Sequence, residues 1–217
     1  MITFSAFSSQ MGDTVNLIGQ NAAKAGLIVV FVWACHILNL LTGKRLNVLG
    51  VWPRHLTGLK GVIFAPFLHA DINHLFFNTI PLFLLTDFVL IATGQSFWLI
   101  STLIIVLSGL FTWITGRNAI HIGASGVIMG YWGFLVCLAV TQPTVFNVVI
   151  VVVMLYYLGG LFLNLFPSGE SVSFEGHICG LVAGLLTAYI WIQSSGNIPE
   201  YLAYLWRYFF SAIARIF

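Results

Sequence analysis

Six stretches of this chain are apolar for long enough to cross a bilayer, and most of the polar residues within them lie near their ends. They run roughly Ala25–Leu41, His74–Thr93, Phe97–Thr115, Ser125–Thr141, Phe146–Phe166 and His177–Gln193. Thr93-Gly94-Gln95-Ser96 and Gln142-Pro143-Thr144 mark short turns after the second and fourth. The connection from Thr42 to about Asn73 is long, basic and rich in Gly and Pro, and a loop of that kind is expected to be partly structured. Toward the end, Arg207, Ser211 and Arg215 recur every four residues among Tyr, Trp, Phe and Ile. That pattern predicts an interfacial helix, or a seventh segment too short to cross. With no internal repeat, low-complexity tract or attached soluble region, the pattern predicts a single all-α membrane domain over residues 1–217. Its six-helix core runs from about 25 to 193, and its amphipathic tail from about 199 to 217.

Composition fixes the setting. Hydrophobic residues make up 59% of the chain and charged residues 6%, with a mean hydropathy of +1.01. A soluble domain carries about 25% charged residues, so this reads as an integral membrane protein. The net charge of +2 is spread over too few residues to attract a nucleic acid. The first twenty residues lack the basic start and apolar run of a signal peptide. Cys35, Cys137 and Cys179 all lie inside apolar segments and read as small buried hydrophobes, not as a disulfide framework or metal site.

Candidate chemistry emerges from span order. Consecutive spans alternate direction, so spans two, four and six start from one side. His74 and Asn78 lie at the start of span two, Ser125 of span four and His177 of span six. At roughly 1.5 Å per residue these four share a depth to within a turn or two. Hydrocarbon penalises such residues unless they meet one another, another polar group or water. Gly126 and Gly130 stripe span four and Gly180 and Gly184 stripe span six, a spacing that lets membrane helices approach closely. Joining the stripes brings the Ser125 hydroxyl toward the His177 imidazole, a nucleophile beside its general base. The plainer alternative is that the glycines only set a helix crossing. His36 and Asn39 on span one and Asn164 on span five read as interhelical hydrogen-bonders or boundary residues, and span three offers nothing comparable. Asp71 or Asn73 is expected to cap span two. His69 is expected to line a water path or bond the loop, His121 to be a plain loop residue, and Asp87 to be structural.

Three motifs in order resemble those of the rhomboid intramembrane serine proteases, over about Gly58 to Trp191. Phe67-Leu68-His69 with His74-Leu75-Phe76-Phe77-Asn78 is similar to the family's His-and-Asn motif. Gly123-Ala124-Ser125-Gly126 is similar to its GxSG motif. His177-Ile178-Cys179-Gly180 with Gly184 is similar to its HxxGxxxG pattern. The resemblance implies that Ser125 attacks the scissile carbonyl and His177 serves as base and then acid, a Ser-His dyad. It also implies that His74, Asn78 and the Ser125 N–H donate to the oxyanion. No carboxylate is placed to orient His177. Gly123, Gly126, Gly180, Gly184, Met129 and His69 are expected in support. Met129 stands where relatives often carry an aromatic packed on the catalytic ring, and its sulfur can make a softer contact. Phe174 stands where many have Trp, and Trp52-Pro53-Arg54 is a displaced counterpart of a Trp-Arg pair in the first loop.

The implied activity is an intramembrane serine endopeptidase, needing no cofactor or metal, whose partners are the bilayer and transmembrane protein substrates. The implied location is a prokaryotic inner or plasma membrane. Two alternatives differ in kind. A catalytically inactive relative that binds membrane helices has no need of an intact Ser125 and His177, and a small channel or transporter needs polar residues across the whole thickness. The family orientation puts the starts of spans two, four and six on the non-cytoplasmic side. Lys44, Arg45, Arg54, Lys60 and Arg117 on that side conflict with the positive-inside rule, against Lys24, Arg207 and Arg215 opposite. Proteolysis by the purified chain is expected to survive a chelator and a thiol-alkylating reagent unchanged. Loss to the chelator with recovery on adding zinc would contradict the dyad.

Overall fold

The computed structural model describes residues 4–159, 174–201 and 204. Among them the regular structure is helical, apart from one isolated antiparallel bridge between Val51 and His121. The helices are α1 (Phe4–Leu41), the one-turn α2 (Gly61–Phe64), α3 (Ile72–Thr93), α4 (Phe97–Thr115), α5 (Ser125–Thr141), α6 (Val145–Leu158) and α7 (Phe174–Gln193). Val15–Leu41, the continuous Ile72–Thr115 stretch of α3 and α4, and Phe174–Gln193 are long and apolar enough to cross a membrane. Ser125–Thr141 and Val145–Tyr156 are shorter apolar helices.

The sequence-predicted α4 and α5 coincide with the observed helices. α1 begins at Phe4, not Ala25, because residues 4–24 contain no proline to stop the helix and only two glycines to weaken it. α3 begins at Ile72 because Asp71 is its N-cap, the carboxylate accepting the His74 amide hydrogen at 2.9 Å. α6 begins at Val145, where the Thr144 hydroxyl accepts from Asn147 N–H at 3.1 Å. The predicted extension of α6 to Phe166, including Asn164, lies outside the described residues, as do Arg207, Ser211 and Arg215 of the predicted tail. α7 begins three residues ahead of His177, with Glu175 in its first turn, where a negative charge suits the helix dipole.

α5 is the central helix, packed by α3, α4, α6 and α7. Residues Val127 to Leu135 are buried without a break, as expected of a helix that is apolar on every side. α5 and α7 run parallel: Gly126 lies beside Gly176 and Gly180, Gly130 beside Gly180 and Gly184, and Gly133 beside Leu181. A Cβ on Gly180 would fall on the Gly126 carbonyl, and one on Gly184 on the Gly130 carbonyl. The two backbones therefore touch with no side chain between them. α1 packs on α3, where Trp33 Nε1–H donates to Thr79 Oγ1 at 3.0 Å. Tyr131 O–H donates to Ser101 Oγ at 2.7 Å, joining α5 to α4.

The first connection is folded, as its length predicts. It carries 3₁₀ turns at Arg45–Leu49, Leu56–Gly58 and Ala65–Phe67 besides α2. Asn39 of α1 is fully buried; its side chain donates to Asn47 Oδ1 at 2.7 Å and accepts from Leu46 N–H at 3.1 Å. It thus bonds the loop and not another helix. The loop's cations also bond protein: Lys44 Nζ donates to Ala70 O at 2.9 Å, and an Arg54 guanidinium nitrogen donates to Gly116 O at 2.7 Å.

Gly180→Val is expected to cost about 2 kcal/mol or more, because backbone and not a flexible side chain must give way. Gly19→Ala, with nothing within 4 Å of the new methyl, is expected to be neutral or to gain up to about 1 kcal/mol. Thermal melts in one detergent compare them. Asp71→Ala is expected to cost about 1 kcal/mol at neutral pH and Asp71→Asn much less. The His74 N–H holds the Asp71 carboxyl below the usual carboxylate range. A depressed folded pKa contributes stability present above the unfolded value and lost as pH falls through the folded one. Melts run downward through the carboxylate range should therefore see the wild-type advantage over Asp71→Ala disappear.

Candidate active site

Ser125 is the first residue of α5, so its N–H is among those a helix start leaves without an intrahelical partner. The turn ahead of it is built on Gly123, whose φ of +127° is open to glycine and strained for other residues. A Cβ there would also lie 2.7 Å from His74 Nε2 and 3.8 Å from Ser125 Oγ. The missing side chain is thus what lets the His74 ring and the serine hydroxyl reach the same space. Gly123 N–H donates to Ala65 O at 2.9 Å, and His121 and Val51 exchange backbone hydrogen bonds at 2.8 and 2.9 Å. The first loop thereby fixes the turn that carries the serine.

His177 is buried in the first turns of α7, one turn before Gly180. The Gly176 carbonyl lies 3.3 Å from where a Cβ on Gly126 would stand, so the starts of α5 and α7 abut. Glu175, two residues before His177, pairs with Arg117 Nε at 3.8 Å. Met129 is buried one turn into α5 beyond Ser125. Asn78, buried on α3, donates from its amide to His74 O at 2.9 Å and borders the α1–α3 seam. The structure therefore groups Ser125, His74 and the first turn of α7. For Asn78 the described contacts are to its own helix and that seam.

Other expectations are corrected or sharpened. His69 is fully buried and its Nε2 accepts from Ala124 N–H at 3.4 Å, so it bonds the loop and does not line an open water path. Burial, with the like charges of His74 and His36, pushes it down to about 3, so it is neutral. His121 is no plain loop residue: it is buried, and its Nε2 lies 3.0 Å from Arg117 O. His36 is buried, and among the described residues neither ring nitrogen makes the direct interhelical hydrogen bond that its place on span one suggests. Asp87 is buried in α3. Trp52 stacks on His55 at 3.9 Å and donates to Asn118 Oδ1 at 2.8 Å, while Arg54 braces the end of α4.

The sequence shows no polar residue on span three comparable to those at the starts of spans two, four and six, yet Ser108 and Thr112 of α4 line the site from one turn apart. Ser108 Oγ lies 2.9 Å from the Cβ position of Gly126. The sequence signal was available: Ser101, Ser108 and Thr112 fall on one helix face, and all are buried. Ser125, Gly126, Ser108, Thr112, Gly176 and His121 help line a cavity of about 50 Å³ beside the serine. That holds about one or two waters. Chemically, the site offers a hydroxyl at a helix start, imidazoles near it, N–H groups that a helix start leaves without intrahelical partners and room for water.

The rhomboid domain model matches residues 56–194. An uncharacterized protein of Mycobacterium tuberculosis is 40% identical over 172 residues, 75% of this chain and 71% of that protein. One from Mycobacterium leprae is 29% identical over 171 residues, 75% and 68% of the two chains. A protein of Acanthamoeba polyphaga mimivirus, named as a rhomboid protein, is 25% identical over 154 residues, 63% of this chain and 78% of its own. The match takes in most of the first loop, α4, the turn before α5, α5 and α7, which line the cavity beside Ser125, together with α3, which carries His74. This integral membrane protein belongs to the rhomboid family.

Proposed function

We propose that this protein is an intramembrane serine endopeptidase that cleaves transmembrane segments of other membrane proteins, with Ser125 as nucleophile and His177 as general base. The observation that carries the reading is the glycine-to-glycine contact of α5 and α7, with Gly126 against Gly176 and Gly180. It holds the helix starts bearing Ser125 and His177 side by side. In this mechanism the Ser125 hydroxyl gives its proton to His177 as it attacks the scissile carbonyl. The imidazolium then protonates the leaving amine, and a water deacylates the enzyme. With Glu175 engaged by Arg117, the chemistry is read as that of a dyad, its imidazole oriented by packing or by a hydrogen bond from a group other than a carboxylate.

The oxyanion falls to the Ser125 N–H, His74 and Asn78. His74 reaches over Gly123 beside Ser125 Oγ, and Asn78 has a second amide hydrogen beyond the one given to His74 O. A substrate helix hides its carbonyls in its own hydrogen bonds, so it must unwind locally to be cut. We further infer six membrane crossings in one domain, with the starts of α3, α5 and α7 on the non-cytoplasmic side. The basic first loop weighs little against this orientation, since Lys44 and Arg54 are bonded to loop and helix-end carbonyls.

Ser125→Ala and His177→Ala are each expected to abolish cleavage with the melting temperature kept, and the double variant to be scarcely worse than either. Substantial proteolysis by purified Ser125→Ala protein refutes the nucleophile. Asn78→Ala and His74→Ala are expected to lower kcat by about 10²–10³ while a fluorophosphonate still labels Ser125. Near-normal turnover per folded molecule, with a large loss of stability, would make those two residues structural.

A further inference from the structure

Behind the turn that carries Ser125 lies a row of three imidazoles. The His74 ring stands edge-on to His69 at 5.0 Å and 68°. On the other side, His36 of α1 stands edge-on to His69 at 6.4 Å and 78°. His69 and His36 are 0% and 1% exposed. Because Nε2 of neutral His69 accepts the Ala124 amide hydrogen, its own proton sits on Nδ1. Among the described residues that Nδ1 has no hydrogen-bond partner, and neither does either ring nitrogen of His36. Buried polar atoms are rarely left so, since each costs its full desolvation. Here a donor on one ring meets acceptor capacity on the next. Ring centres 6.4 Å apart are too far for a direct N–H···N bond and suit one bridging water.

We propose that His36 and His69 form a water-bridged pair that holds the His69 proton on Nδ1, keeps Nε2 an acceptor for Ala124 N–H, and so positions the turn presenting Ser125. Both are positioning residues, since neither touches substrate. His36 lies outside the residues 56–194 that the family model matches. The pair gives α1 a route to the active site. Protonating His69 would replace the acceptor at Ala124 with a donor and release the turn. The inference rests on Ser125 being the nucleophile only for its kinetic consequence, and the tautomer is independent of it.

The test uses the full chain in detergent with ¹⁵N-labelled histidine, His69 being assigned by comparison with His69→Gln. The neutral Nδ1–H tautomer is expected at His69 in the wild type, and a mixture of tautomers in His36→Leu. Second-order labelling of Ser125 by a fluorophosphonate is expected to fall about tenfold in His69→Leu, the worth of one hydrogen bond beside the reacting group. His69→Gln should recover most of that, because its side-chain oxygen can accept the same N–H. His36→Leu should slow labelling several-fold without lowering the melting temperature, since it removes polar atoms that have no protein partner. A merely structural His36 would move the melt instead. An Nε2–H tautomer in the wild type overturns the proposal. So does a His36→Leu protein with unchanged tautomer and labelling rate, or a His69→Gln protein no faster than His69→Leu. If wild-type Ser125 does not react at all, the nucleophile reading fails, and the tautomer still decides the pair.

Discussion

The contact of α5 with α7, backbone against backbone, is the constraint on which the rest of this structure depends. Lipid tails are as apolar as leucine, so no hydrophobic force drives two helices together inside a membrane. Close packing has to supply the attraction. Glycines at 126, 130, 180 and 184 let the two backbones come within reach of each other's carbonyls. Ser125 precedes the first of these glycines and His177 stands one turn before the third. The residues that set the packing therefore also set the distance between the two side chains. Any bulk added along the seam separates the helices at the end where both lie.

The first loop supplies a second constraint. A nucleophile at a helix start is only as well placed as the turn ahead of it, and that turn has few bonds of its own. Ala65 O holds Gly123 N–H, Val51 bridges His121, and His69 accepts from Ala124. Each of these partners comes from residues 51–69, so the loop acts as scaffold. Two of its cations serve that scaffold: Lys44 satisfies the loop carbonyl of Ala70, and Arg54 satisfies carbonyls at the end of α4.

Much was legible in the sequence because it depended on neighbours along the chain. Helices at Phe97–Thr115 and Ser125–Thr141 follow from predominantly apolar runs ended by Gly116 and by Gln142-Pro143. That His74, Ser125 and His177 all stand near the starts of helices is read directly from where the apolar runs begin. Even the Asp71 cap is a three-residue relation. The long reach of α1 below Ala25 was missed because polarity there ended the apolar run without ending the helix.

What the sequence by itself determined, then, was where the apolar helices run, which of their ends carry polar residues, and which faces are smooth enough to meet. Tertiary structure alone decided how each helix is rotated and which segments touch across long separations. Ser108 and Thr112 face Ser125 only because α2 seats on α4 at Gly109 and α4 packs against α7. His36 meets His69 only because α1 packs on α3 and the loop returns between them. Periodicity along one chain fixes which residues share a face. It does not fix the azimuth at which that face meets a neighbour, because azimuth is set by side-chain packing summed over several helices at once.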